Sequence, residues 1–155
     1  MPADKKTRCG LHTSVAGGFG EMLIRAKALG EDAAQIFVKS NRRWEMPELA
    51  EKEASQFRQG KRAHDLWICA HAGYLINVAG GADTRKKSIY ALAEEIRRAE
   101  ELGLDAVVVH CGSRGETEAT EAREKASEGF REALMRSETK LVRLALENSG
   151  VRVRP

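Results

Sequence analysis

The sequence has little of what marks secreted, membrane-spanning or multi-domain proteins. Its 155 residues include three cysteines and no CxxC pair, which argues against a disulfide framework. No apolar stretch approaches the roughly 18 residues of a membrane span, and residues 1–7 lack the apolar segment of a signal peptide. Linker-like composition and internal repeats are also absent. We therefore expect a cytoplasmic protein with reduced, buried thiols and one domain.

An excess of one charge is lacking as well. Lys and Arg number 26 against 23 Asp and Glu, which gives a net charge of only +3. Composition alone therefore does not call for a nucleic-acid partner, and any site for a polyanion must be local. Hydrophobic residues make up 42% of the chain, as in ordinary globular proteins, so disorder is not expected.

What the sequence does have is a series of five apolar runs that each end on a polar residue. These residues are His12, Lys39, His71, His110 and Glu147. The gaps between them are 27, 32, 39 and 37 residues, room each time for a loop, a helix and the next strand. This rhythm is typical of βα-repeats with their chemistry at the carboxyl ends of the strands. A closed eight-stranded barrel needs about 250 residues, so we predict a partial (β/α)8 TIM barrel with about five strands and four helices.

Periodicity and turn residues set the expected elements. Strands after the first are predicted over residues 33–38, 66–70, 106–109 and 140–146, and helices over 21–29, from 47, 84–102 and 117–137. Gly30 and Gly103 are expected to end the first and third helices, and Pro47 to open the second. The fifth strand is apolar on both faces, as a barrel strand should be.

Three of the five strand-ending residues are metal-ligand types. A lone histidine at a strand end is usually a hydrogen-bonded core residue, but His71, His110 and Glu147 close three successive strands. Because neighbouring parallel strands lie about 4.8 Å apart, we expect these side chains to converge. Two imidazoles and a carboxylate suit Zn²⁺, with Mn²⁺ or Fe²⁺ as lesser options. We interpret His12 as a supporting residue, and a metal role for Cys111 is the less favoured reading.

Two loops on the same rim leave alternatives open. The segment from Lys39 to Trp44 carries three cations and an indole, which fits either a solvated basic loop or phosphate contacts beside a metal centre. The segment after His71 carries Tyr74 and Leu75, which either cap the barrel mouth or wedge into stacked bases.

Several motifs together resemble the endonuclease IV family of apurinic/apyrimidinic endonucleases, which are zinc-dependent (β/α)8-barrel DNA-repair enzymes. The resemblance covers residues 8–149. Its markers are Gly10-Leu-His-Thr-Ser-Val-Ala-Gly-Gly, Gln35-Ile-Phe-Val-Lys-Ser-Asn-Arg-Arg-Trp, His71-Ala-Gly-Tyr-Leu-Ile-Asn, Lys87-Ser-Ile, Leu102-Gly-Leu, His110-Cys-Gly-Ser and Leu146-Glu-Asn-Ser. Their combination and order are highly specific, although each alone is weak.

The resemblance implies a metal set and a reaction. His71 and His110 are implied to ligate one zinc ion, and Glu147 to bridge it to a second, which makes Glu147 the catalytic carboxylate. Family members use three metal ions to hydrolyse the phosphodiester 5′ to an abasic site and leave a 3′-hydroxyl. Such chemistry fits the general logic of multi-metal phosphoryl transfer.

The resemblance also implies a partner, double-stranded DNA with abasic sites, and no membrane or obligate protein partner. Arg42 is implied to contact DNA, and Tyr74 and Leu75 to insert at the abasic gap. The family usually has proline where this chain has Cys111, a local change that need not move the preceding histidine.

The end of the sequence departs from the family. The remaining family ligands come from strands six to eight, and residues 150–155 diverge from the family pattern, which we interpret as a truncated reading frame after Ser149. We therefore expect residues 1–155 to form a single incomplete TIM-barrel domain of reduced or no activity, with an open apolar edge at the fifth strand.

Two other functions remain as alternatives. The first is a metal-dependent sugar isomerase or epimerase of the same barrel superfamily, which also sets ligands at strand ends. The cationic loop and the Tyr-Leu pair argue against it, because a small sugar needs no such rim. The second is a non-catalytic fragment that binds DNA or metal weakly.

Overall fold

Parallel strands and helices alternate along the part of the chain that the computed structural model describes, residues 7–148. The divergent tail at 150–155 lies outside these residues. The elements are β1 (Gly10–His12), α1 (Phe19–Ala28), β2 (Ala33–Ile36), α2 (Glu51–Ala63), β3 (Trp67–His71), α3 (Ala82–Glu101), β4 (Ala106–His110), α4 (Ala119–Ser137) and β5 (Arg143–Glu147). Most boundaries lie within three residues of those expected from the sequence.

The strands form one sheet in the sequential order β1-β2-β3-β4-β5, and every neighbouring pair is parallel. A parallel neighbour can be reached only by a crossover, and here each crossover contains one helix. Sequential parallel order with one helix per crossover is the arrangement of a (β/α)8 barrel. The predicted partial barrel of five strands and four helices is confirmed.

The hydrophobic core lies between the helices and one face of the sheet. Ile36, Ile68 and Val107 are fully buried in the three central strands. Their helical partners include Met22, Phe57, Leu92 and Ile96, which are also almost fully buried. Because successive strand residues point to opposite faces, the residues between these core positions point away from the helices. His71 and His110 belong to that second face.

Glycines end two helices as the sequence predicts. Gly30 follows α1 and Gly103 follows α3, each one residue past the capping leucine, and their φ angles are +69° and +63°. A side chain at either position would strain the left-handed backbone.

The start of α2 corrects the sequence prediction. The helix begins at Glu51 and not at Pro47, because Ala50 is extended with φ −68° and ψ 134°. The Pro47 carbonyl accepts a hydrogen bond from Arg98 Nη2 at 2.6 Å, so a contact from α3 replaces the first helical turn. Leu49 packs against the core from this extended segment.

The outermost strands are exposed. Among the described residues β5 pairs with β4 alone, and Leu146 in it is 57% exposed. Leu11 in β1, at the other edge, is 60% exposed. The strand starts at Arg143 and not at residue 140, because the Lys140 amide donates to the Glu100 carboxylate at 3.1 Å and holds the chain in a turn.

Replacing Phe57 tests the core. Its ring is 1% exposed and meets Phe19 edge-on at a centroid distance of 5.5 Å. We expect Phe57→Ala to lower the free energy of unfolding by about 3–5 kcal/mol, measured by urea denaturation. The exposed neighbour Gln56→Ala is the control and should change it by less than about 0.5 kcal/mol. Equal effects of the two changes would contradict this placement of the core.

Candidate metal centre and adjoining loops

Three potential metal ligands meet at the carboxyl ends of β3, β4 and β5. His110 lies opposite Glu147 in the strand register, while His71 lies opposite Val108, two residues earlier on β4. One ligand atom from each of His71, His110 and Glu147 lies within 4.8 Å of the others. His71 is buried and the Glu147 side chain is 46% exposed, so the group opens to solvent on one side. The convergence expected from the sequence is present.

The hydrogen bond of His71 fixes its ring. Nδ1 lies 2.8 Å from the Ala72 carbonyl oxygen. A carbonyl only accepts, so Nδ1 carries the hydrogen and Nε2 holds the second proton or a lone pair. Nε2 faces Glu147 Oε2 at 3.3 Å. Both atoms can donate a lone pair, so the arrangement suits a cation held between them.

His110 supplies a second sign of a ligand site. Its Nδ1 is buried and has no hydrogen-bond partner within residues 7–148. Buried polar atoms nearly always have a partner, and each exception needs an explanation. The His110 ring lies 5.0 Å from the His71 ring between centroids. An unpartnered imidazole nitrogen beside a second histidine and a carboxylate is a donor set that fits zinc.

Phe37 and His12 support the group from the side of β1 and β2. The Phe37 ring lies 5.7 Å from His71 and 4.4 Å from His12, between centroids. His12 Nδ1 lies 3.0 Å from Gln35 Nε2. Burial lowers the pKa of His12, and the nearby His71 lowers it further. These contacts agree with a supporting role for His12, which lies outside the described ligand group.

The two loops are joined next to this group. The Tyr74 amide donates to the Asn41 carbonyl at 2.9 Å, which ties the β3–α3 loop to the β2–α2 loop. The Tyr74 ring lies 5.5 Å from His71 and 6.3 Å from His110, between centroids. Tyr74 is 55% and Leu75 37% exposed, and Arg42 is exposed as well. The structure thus places the Tyr74 ring beside the candidate ligands and ties its loop to the loop that carries Arg42.

Lys39 departs from the sequence interpretation. It does not face solvent with the two arginines of its loop, because its side chain is 3% exposed and its Nζ lies 3.3 Å from Glu95 Oε1. Burial raises the pKa of Glu95, and the Lys39 charge opposes that rise. Glu95 was not singled out from the sequence as the buried partner of Lys39. A signal for it exists, since Glu95 interrupts the apolar stripe of α3 between Leu92 and Ile96.

The cysteines stand apart from the ligand group. The expectation that all three thiols are buried is wrong, because Cys69 alone is buried, while Cys9 is exposed and Cys111 is partly exposed. The ligand group found among residues 7–148 contains none of them. Burial raises the pKa of the Cys69 thiol to about 11. The minority reading of Cys111 as a ligand gains no support.

The fold and the strand-end polar group define a protein of the TIM-barrel class. The chain belongs to the xylose isomerase-like TIM-barrel family, whose sequence model matches residues 23–151. Within the described part of the chain, no helix combines the length and apolarity needed to cross a membrane.

The resemblance to the endonuclease IV family is confirmed by individual relatives. A probable endonuclease 4 of Oleidesulfovibrio alaskensis is 39% identical over 146 residues, which are 91% of this chain and 49% of that protein. The crystal structure of endonuclease IV from Thermus thermophilus superposes with a TM-score of 0.84 at 34% identity, over 95% of this chain and 55% of that one. This chain spans 38–51% of the length of several curated relatives that it matches.

More distant structures share the fold alone. A D-tagatose 3-epimerase-like protein superposes with a TM-score of 0.66 at 19% identity, over 94% of this chain and 55% of that one. Identity this low leaves the fold as the only common property, because one barrel fold hosts many chemistries.

Thiol reactivity tests the surroundings of Cys69. Its Sγ lies against the Ala34 carbonyl at 3.8 Å, and its raised pKa keeps it protonated at mildly alkaline pH. Since the thiolate is the reactive form, we expect Ellman's reagent to modify Cys69 at least about a hundredfold more slowly than the exposed Cys9. The Cys69→Ser variant identifies the part of the absorbance increase that comes from Cys69. Unfolding in guanidinium chloride should abolish the difference in rate between Cys69 and Cys9. Equal rates in the folded protein would contradict this environment.

Proposed function

We propose that the protein is a zinc-dependent apurinic/apyrimidinic endonuclease of DNA base excision repair, which hydrolyses the phosphodiester 5′ to an abasic site. The observation that carries the proposal is the exposed Tyr74 ring, 5.5 Å from the His71 ring of a ligand group that fits zinc. A side chain able to fill a missing base lies directly beside groups able to hold a metal. Similarity to proteins named endonuclease 4 supports the same activity.

His71, His110 and Glu147 are the proposed metal ligands. Zn²⁺ suits two imidazoles and a carboxylate, and Mn²⁺ is a second candidate. A zinc ion there supplies Lewis acidity toward a phosphate oxygen and toward water. The chain positions its donors in advance, because the Ala72 carbonyl holds the His71 ring at 2.8 Å and directs Nε2 toward Glu147. Glu147 is the proposed catalytic carboxylate and would hold the metal from the solvent-exposed side of the group.

Arg42, Tyr74 and Leu75 are the proposed DNA contacts. Arg42 is exposed on the loop whose Asn41 carbonyl accepts the Tyr74 amide, so the loop of the proposed phosphate contact and the loop of the proposed wedge are hydrogen-bonded to each other. Phosphate contacts position a protein on a duplex, and apolar wedges insert between bases. The proposed partner is double-stranded DNA with an abasic site, and the proposed location is the cytoplasm.

A sugar epimerase remains the runner-up from the distant fold matches, but no described contact favours it. A small ketose is enclosed by its pocket, whereas Tyr74 and Leu75 are 55% and 37% exposed. Epimerisation of a ketose by the purified protein, without binding to abasic DNA, would favour the epimerase.

For the 155-residue chain, we expect metal binding to be easier to detect than incision of DNA. One group of three ligands lies among residues 7–148, while the family resemblance implies three ions. We therefore propose that these 155 residues taken alone bind metal and DNA but cut slowly or not at all.

Removal of one histidine tests the metal site. We expect the chain to bind one Zn²⁺ tightly, and His110→Ala to weaken that affinity by about 100-fold, because changes even one step away from a metal commonly cost 10–100-fold. Competition with a chromophoric zinc chelator measures it, and the Co²⁺ spectrum reports the ligand set. The control is His64→Ala, an exposed histidine at the end of α2 that should leave the affinity unchanged. Wild-type affinity in His110→Ala would remove His110 from the site.

Binding to duplexes with and without one abasic site tests the function. We expect tighter binding to the abasic duplex, and Tyr74→Ala to reduce that preference by about tenfold, since filling a stacking gap is worth 1–3 kcal/mol. Arg42→Ala should weaken binding to both duplexes and lower the salt dependence by about one charge. Fluorescence anisotropy measures both, with Arg131→Ala on the exposed face of α4 as the control. Equal affinity of the zinc-loaded wild type for both duplexes would contradict the proposed function.

A further inference from the structure

A buried ion pair lies beneath the two loops of the candidate site. Lys39, which follows β2, and Glu95 of α3 are 3% and 1% exposed, and Nζ lies 3.3 Å from Oε1. The mutual attraction of a buried pair often fails to offset the desolvation of both charges, and an apolar pair of similar volume is often as stable. Stability alone therefore does not account for this pair.

The pair bonds to both loops at once. Lys39 Nζ donates to the carbonyls of Ser40, at 3.5 Å, and Arg43, on either side of Arg42. Glu95 Oε2 accepts the Gly73 amide at 2.9 Å, directly before Tyr74 in the chain. One end of the pair thus holds the loop of the exposed arginine, and the other end holds the loop of the exposed tyrosine.

Gly73 shows how closely these parts approach. A Cβ at this position would lie 3.2 Å from Glu95 Oε1, 3.3 Å from Lys39 Nζ and 3.5 Å from the Asn41 carbonyl oxygen. Both charged atoms would therefore have to shift by a few tenths of an ångström to admit a side chain, whereas the distance to the Asn41 oxygen is an ordinary contact. The β3–α3 loop thus passes close to the ion pair, and a glycine fits that approach without displacing either charge.

We propose that Lys39 and Glu95 are positioning residues, which hold Arg42 and the Tyr74–Leu75 wedge in one fixed arrangement for DNA; this rests on the proposed function. They act through backbone groups, the Arg43 carbonyl and the Gly73 amide, and neither belongs to the candidate ligand group. Without the pair, both loops keep their composition and lose their common anchor. The wedge and the phosphate contact then order only on binding, which lowers affinity.

Trp44 provides a readout that does not need DNA. It adjoins Arg43 in the anchored loop and is 36% exposed, and the other tryptophan, Trp67, lies at the opposite end of β3. In the full chain carrying Trp67→Phe, emission therefore reports on this loop alone. Acrylamide quenching then measures how far the loop opens.

The decisive variant replaces both charges by apolar groups, Lys39→Met with Glu95→Leu. We expect the stability and the zinc affinity to stay at the parent level, quenching of Trp44 to rise about twofold, and affinity for abasic DNA to fall about tenfold. Glu95→Gln keeps an acceptor for the Gly73 amide and should lie between the parent and the double variant. If the double variant does not fold, Glu95→Gln alone decides by the rise in quenching.

The matched control is Lys61→Met with Asp105→Asn. It removes an ion pair of 2.8 Å at the amino-terminal end of the strands, and it should leave Trp44 quenching and DNA affinity unchanged. Unchanged quenching in the Lys39–Glu95 variants, or quenching that rises only together with loss of zinc affinity and stability, would overturn the proposal. If the parent does not prefer abasic DNA, the proposed function fails, and the quenching series still decides whether the pair positions the loop.

Discussion

The parallel register of β3, β4 and β5 is the constraint on which the candidate metal centre depends. His110 and Glu147 are direct partners across two strands, whereas His71 pairs with Val108, two residues before His110. An offset of two keeps all three side chains on the sheet face away from the helices, because side chains alternate with period two. A slip of one residue would turn a ligand into the hydrophobic core. Such stagger between strands is also what tilts the strands of a barrel.

The burial of Ile68 and Val107 enforces this register. Each is fully buried against the helices, and each belongs to a strand that ends in a candidate ligand. Hydrophobic packing on one face therefore selects the polar group on the other. This is why the strand-end pattern alone could predict the partial barrel and the convergence of His71, His110 and Glu147, since both follow from periodicity and parallel pairing.

Features that depend on distant partners could not be predicted in the same way. The Pro47 segment looks like a helix start, but Arg98 from α3 takes its carbonyl and the helix begins at Glu51. Lys39 looks like a solvated loop cation, but its side chain is buried in an ion pair with Glu95, which lies 56 residues further along the chain. In both cases a tertiary contact overrides a local preference, and no pattern within either segment contains that contact. The sequence does contain one signal for the buried ion pair, because Glu95 interrupts the apolar stripe of α3.

The setting of Tyr74 bears on the wedge proposed for its loop. In this five-stranded sheet Tyr74 is 55% exposed. Its ring contacts two other rings, those of Phe37 and His71, each at a centroid distance of 5.5 Å. Its backbone amide donates a hydrogen bond to the Asn41 carbonyl. A rigidly supported and solvated aromatic ring loses little conformational entropy when it stacks on a partner. That combination supports the proposed wedge, whose ring lies beside the His71 ring of the candidate ligand group.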